Sequence, residues 1–154
     1  MRDGRAFLAV LAAGVMAFSA ASALPASQAW ASELPVKAIW LKDCPDGLSA
    51  GEPFVAASGE FEVDLLFMAA GPVKDFKVLA LEFKDIDEAG KPVFDVKELH
   101  CLDELTPEHP LAVTTVFYGD LPNNGISYVD GEGKTRNFSV GISGEDGSLT
   151  LNEF

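Results

Sequence analysis

The chain has 154 residues, a formal charge of −13, 48% hydrophobic residues and only two cysteines. A polyanion of this kind is excluded from binding nucleic acid or anionic lipid by counterion release. Its charges are scattered instead of blocked, which reads first as solubility and second as attraction to a basic partner.

The start of the chain, with Arg2 and Arg5, the apolar run FLAVLAAGVMAF at 7–18, Pro25 and the small-residue stretch ASQAWAS, has the layout of a secretory signal peptide. Ala29 and Ala31 form an A-x-A site, so cleavage is expected after Ala31, with Ala21-Ser-Ala23 as second choice. The run is too short to span about 30 Å of hydrocarbon, so no retained membrane anchor is expected. No lipid anchor is expected either, because Cys44 follows Leu41-Lys42-Asp43 well inside the mature region. The expected locations are therefore secreted, periplasmic or extracellular. Residues 32–154 are the size of one domain with one core. They carry 23 acidic and 9 basic residues, a charge of −14.

The mature sequence is a succession of short segments rich in Val, Phe, Leu, Ile and Thr, punctuated by Gly, Pro, Asn and Asp, which is the pattern of an all-β chain. VKAIWLK (36–42) comes first, then the polar loop DCPDGLSAGEP. FEVDLLFMA (61–69) alternates, with Phe61, Val63, Leu65 and Phe67 on one face. FKVLALEFKD (76–85) is apolar on both sides through its middle and reads as a central strand. PVFDV (92–96) follows the DEAGK turn, and KELHCLDELTPEHP is expected to be an irregular crossing, since Pro107 and Pro110 exclude a long helix. LAVTTVFYG (111–119) is a strand. Asn124-Gly125 is then a favoured two-residue turn opening a meander: ISYVD, DGEGK, TRNFSVGIS, GEDGS and LTLNEF. Short links of this kind pair strands antiparallel, so the expected fold is an antiparallel β-sandwich of seven to eight strands, with an up-and-down barrel as alternative.

Two thiols in an oxidising compartment are expected to pair, joining Cys44 to Cys101 across a loop of about 57 residues and contributing roughly 4 kcal/mol. Metal ligation by these thiols lacks both a C-x-x-C spacing and a cluster of further ligands. Asp85-Ile-Asp87-Glu-Ala89-Gly90 opens like a calcium loop, but an EF-hand needs an oxygen ligand where Ala89 stands and a bidentate Glu where Val96 stands. The stretch reads as a hairpin turn, and a weak calcium site among neighbouring acidic turns stays open. His100 and His109 lack the following Met that a copper site usually uses. No G-x-S-x-G is present, for VGISGEDG has Glu145 at the second Gly position. Close carboxylate pairs are inevitable in so acidic a chain and point to no glycosidase site by themselves. Asn137-Phe138-Ser139 satisfies the glycosylation sequon but reads as a strand-edge triplet.

The run FKVLALEFKDIDEAGKPVFDV followed by LTPEHPLAVTTVFYG resembles the immunoglobulin-like β-sandwich modules of secreted and envelope proteins of bacteria, including the FxLYD type. The matching residues are Phe83, Asp85, Gly90, Lys91, Leu105 and Pro107, within 76–119; Glu108 departs from the Gly usual there, and the cysteines are outside the pattern. The resemblance implies an immunoglobulin-like topology and a binding or architectural module, and carries no catalytic residue across.

Two functions follow as expectations. The first is a non-catalytic secreted protein that binds or supports an unidentified protein or component of the bacterial envelope, without cofactor or metal. The second is a small acidic inhibitor of a basic secreted enzyme. Leu121, Asn123 and Asn124, in the segment Gly119–Gly125, form the expected binding loop, with hairpin closure and core capping as the competing explanation. Trp40, Tyr118, Tyr128 and Phe138 form either an aromatic recognition surface or core.

Overall fold

The computed structural model describes residues 34–154; the expected signal peptide, 1–31, lies outside them. Nine strands are formed: β1 (Val36–Trp40), β2 (Phe54–Val55), β3 (Val63–Ala69), β4 (Val73–Ile86), β5 (Pro92–Leu105), β6 (Leu111–Thr115), β7 (Asn124–Val129), β8 (Thr135–Ile142) and β9 (Leu149–Glu153). A 3-10 turn, Leu41–Asp43, follows β1. The strands make two sheets, of order β1-β3-β6-β2 and β5-β4-β7-β8-β9, so the expected all-β sandwich is formed. The strand beyond the expected eight is the two-residue β2. It pairs parallel to β6, because the loop after the 3-10 turn carries the chain from one edge of its sheet to the other.

Alternation of side chains fills the space between the sheets. Leu65 and Phe67 of β3 and Val113 of β6 are buried, and across from them lie Phe76, Val78, Ile126, Tyr128, Phe138 and Val140. The Phe67 and Phe76 rings, 5.7 Å apart, join the two sheets. Tyr128 stacks on Phe138 at 5.5 Å. Removing about two hundred square ångströms per aromatic from water makes such pairs the main source of stability in the core.

The region expected to be an irregular crossing is instead the second half of β5. Residues 97–105 continue the strand, with His100, Cys101, Leu102 and Leu105 paired to Val78, Lys77, Phe76 and Val73. Its alternation is hidden from the sequence by an extra residue in β5 opposite the Val78–Leu79 step, where the register shifts. The prolines expected to break structure fall after the strand has ended, and Thr106 and His109 close that turn.

Asn124-Gly125 is likewise not a turn. Both residues are in β7, paired with Val140 and Ser139 on one side and with Ala80 and Leu79 on the other. Gly125 is selected by close approach: a Cβ there would lie 2.8 Å from the Phe138 carbonyl oxygen and 2.9 Å from Leu81 Cδ1. The turns at 87–91 and 130–134 do form as expected and share one geometry. In each the Asp carboxylate accepts from two backbone N–H groups, those of Ala89 and Lys91 or of Glu132 and Lys134. In each, too, the Gly takes positive φ, 83° at Gly90 and 81° at Gly133.

Cys44 and Cys101 are not joined; both thiols are free. Cys44 follows β1 and its Sγ lies 3.6 Å from the Leu48 carbonyl oxygen. Cys101 is exposed on β5, the outermost strand of the other sheet, where it faces outward opposite Lys77. The sheet order thus keeps the two cysteines apart, which a count of thiols does not reveal.

Candidate functional site

A cleft of about 420 Å³ opens between the sheets where β4 and β5 run past the end of β7. One wall is β4 and β5, with Ala80, Glu82, Asp95, Lys97 and Leu99; the other is the chain after β2, with Ala56 and Ala57, and the end of β6 and the chain beyond it, with Thr115 and Tyr118. The connection from β6 to β7 crosses from one sheet to the other here.

Two asparagines fix that connection. The Nδ2 groups of Asn123 and Asn124 both donate to the Val116 carbonyl oxygen, at 2.9 and 3.1 Å. Asn123 Oδ1 accepts from the Tyr118 N–H at 3.2 Å, and Asn124 Oδ1 accepts from the Thr115 hydroxyl at 2.6 Å. The Leu81 N–H donates to the Asn123 carbonyl oxygen, tying the crossing to β4. Two of the three expected binding residues therefore line the cleft, with their amides committed to holding its shape. Leu121 is 55% exposed and is not among the lining residues.

Tyr118 both lines the cleft and is 59% exposed, so its ring is the aromatic surface available to a ligand. The other expected aromatics divide differently. Tyr128 and Phe138 are core, while Trp40 is half-buried, donates from Nε1 to the Gly147 carbonyl oxygen at 2.9 Å and meets Phe117 edge-on. Phe61, expected on the buried face of its strand, is 76% exposed, because β3 begins only at Val63.

The charges of the cleft wall are nearly balanced. Glu82 and Asp95 face each other across the β4–β5 pair, and Lys84 Nζ reaches both, at 3.9 and 2.9 Å. The hydrogen bond to Asp95 raises the Lys84 ammonium above its ordinary range, so it stays charged. Lys97 adds a second cation beside them. These charged residues were not legible as a site in the sequence, since they come from two strands brought together only by the register of a hairpin.

The remaining sequence candidates have structural partners. His100 stacks on Phe54 at 4.4 Å, closing one flank of the sandwich where β2 meets β5. Among the described residues, no group of three or more His, Cys, Asp or Glu side chains is placed to hold a metal ion. Asn137 of the sequon lies in β8, where its carbonyl oxygen accepts from the Phe154 N–H. No protein-family model, no curated protein and no solved structure matches this chain. The residues that carry the FxLYD-like resemblance sit on β4 (Phe83, Asp85), its turn (Gly90, Lys91) and the end of β5 with the turn that follows (Leu105, Pro107).

Proposed function

We propose that this chain is a secreted, non-catalytic β-sandwich module, of the immunoglobulin-like kind, that binds a partner in the bacterial envelope or extracellular space through the Tyr118 end of the sandwich. One observation carries the reading: the loop there is held rigid by its own asparagine amides, while Tyr118 and Leu121 point apolar surface at solvent, 59% and 55% exposed. A rigid loop presenting an aromatic beside a cleft loses little conformational entropy on binding, which is how recognition surfaces gain affinity. Two polar groups of the cleft are bonded within the chain, Thr115 to Asn124 and Asp95 to Lys84.

The test is recovery of the chain with whatever co-purifies from its native culture, repeated for a Tyr118→Ala, Leu121→Ser variant. The expected result is a variant that melts with the wild type and loses the partner. A folded variant that retains the partner overturns the reading. The charge of −14 on residues 32–154 favours a second reading, an inhibitor of a basic secreted enzyme, which is distinguished by a complex that dissociates as salt is raised.

A further inference from the structure

We propose that the free edge of β5 pairs with the same edge of a second copy of this chain, antiparallel and centred on Val96. β5 is the outermost strand of its sheet and pairs on one side only, with β4. The other side presents a row of unpaired backbone donors and acceptors, the usual template for strand addition. Val93 and Val96 on this strand are 41% and 49% exposed. β7 stops pairing with β4 at Ala80, so the stretch of β4 and β5 beyond it is a two-stranded ribbon. Phe94 against Phe154 ties this ribbon to the rest of the sheet on one face, and pairing its edge with the copy makes it four-stranded.

The centre of the pairing follows from two features. The regular stretch of β5 runs from Pro92 to Glu98, before the extra residue Leu99, and within it Val96 is the centre that sets opposite charges across from each other. The charges around Val96 are complementary to their own reverse. In an antiparallel pair centred there, Val96 meets Val96 of the copy, and Asp95 meets Lys97 of the copy twice. Lys97 makes no ion pair among the described residues, so the second copy supplies what it lacks. Opposite charges directly across from each other stabilise an antiparallel ladder. The contact is isologous and closes as a two-fold dimer. Each cleft shares Asp95 and Lys97 with this edge, so dimerisation sets two clefts side by side. An acidic peptide or a basic one would satisfy only one of the two charges on the edge, which favours the second copy as occupant.

Sedimentation equilibrium of the mature chain from micromolar to millimolar concentration tests this, with Asp95→Lys, Lys97→Asp and the double exchange. The expected pattern is a wild-type dimer that tightens with added salt, because each copy is acidic overall. Each single reversal weakens it by about tenfold or more, since both symmetry-related pairs become repulsive. The double exchange restores it. A wild type that stays monomeric throughout, single variants that dimerise like the wild type, or a double exchange that fails to restore the dimer overturns the proposal. Thermal melts identify any variant that does not fold, and Val96→Lys, which sets like charges across the two-fold, then takes its place with the same expected loss.

Discussion

The Phe94 and Phe154 rings meet edge-on at 4.9 Å although they lie on, or directly after, the two outermost strands of the five-stranded sheet. Four strand spacings of roughly 4.8 Å would hold β5 and β9 about 19 Å apart in a flat sheet. The far half of the β4–β5 hairpin must therefore coil back across the outer face of its own sheet. Phe83, paired with Phe94 and 6.2 Å from it, completes an aromatic cluster there. The two register shifts in the hairpin supply the bend. Ser127, Ser139 and Leu79, on the outer face beneath, are all buried.

Removing either end of that contact should free the ribbon without unfolding the sandwich. Phe94→Ala, or deletion of Phe154, is expected to raise amide exchange over residues 81–97 while Ile126 and Phe138 keep their protection. Equal loss of protection in both regions would show that the ribbon and the sandwich are a single cooperative unit.

Gly125 should not tolerate a methyl group. Gly125→Ala places Cβ 2.8 Å from a backbone oxygen and 2.9 Å from Leu81, and is expected to cost about 1–3 kcal/mol. Adding Leu81→Ala relieves only the side-chain part of the clash. Denaturant melts of the two variants check this, and a Gly125→Ala protein as stable as the wild type would contradict the close approach.

Tyr128 should make the fold sensitive to alkali. Its hydroxyl is buried without a hydrogen-bond partner, and burial pushes its pKa from 10.0 up to about 12. A raised folded pKa means the stabilisation is complete below pH 10 and is lost as pH rises toward 12, about 3 kcal/mol in all. Tyr128→Phe is expected to remove this alkaline limb. At neutral pH it should match or exceed wild-type stability, because it deletes an unsatisfied polar group. Urea melts at pH 7, 10 and 11.5 read both effects.

Asn124 and Leu121 should separate cleanly. Asn124→Ala removes two hydrogen bonds from a half-buried clamp and is expected to cost about 1–2 kcal/mol. Leu121→Ser alters an exposed side chain and should change stability by less than about 0.5 kcal/mol. Thermal melts that reversed this order would put Leu121 in the core and the amide in solvent.

Both cysteines should be alkylated in the native protein without reductant, Cys101 first because it is exposed and Cys44 more slowly because it is partly covered. Mass measurement after timed alkylation checks it. A protein inert to alkylation and lighter by two hydrogens would contradict the free thiols.

Much of this architecture was legible from local pattern. The alternation in residues 63–69, the Val- and Thr-rich part of the run at 111–119, which is strand only as far as Thr115, and the Asp-x-x-Gly-Lys turns at 87–91 and 130–134 each encode their conformation within a few residues, through side-chain burial and the backbone freedom of Gly. The second half of β5 was not legible, because its extra residue shifts the alternation and its charges face solvent along an edge. Asn124-Gly125 has the chemistry of a turn, and only the neighbouring strands, with Leu81 against Gly125 and the Val116 carbonyl between two amides, make it the start of β7. The same holds for the cysteines and the cleft. Residue type and count set what Cys44, Cys101, Lys97 and Tyr118 can do, whereas which groups meet depends on sheet order and register, and those are decided by contacts between segments far apart in the chain.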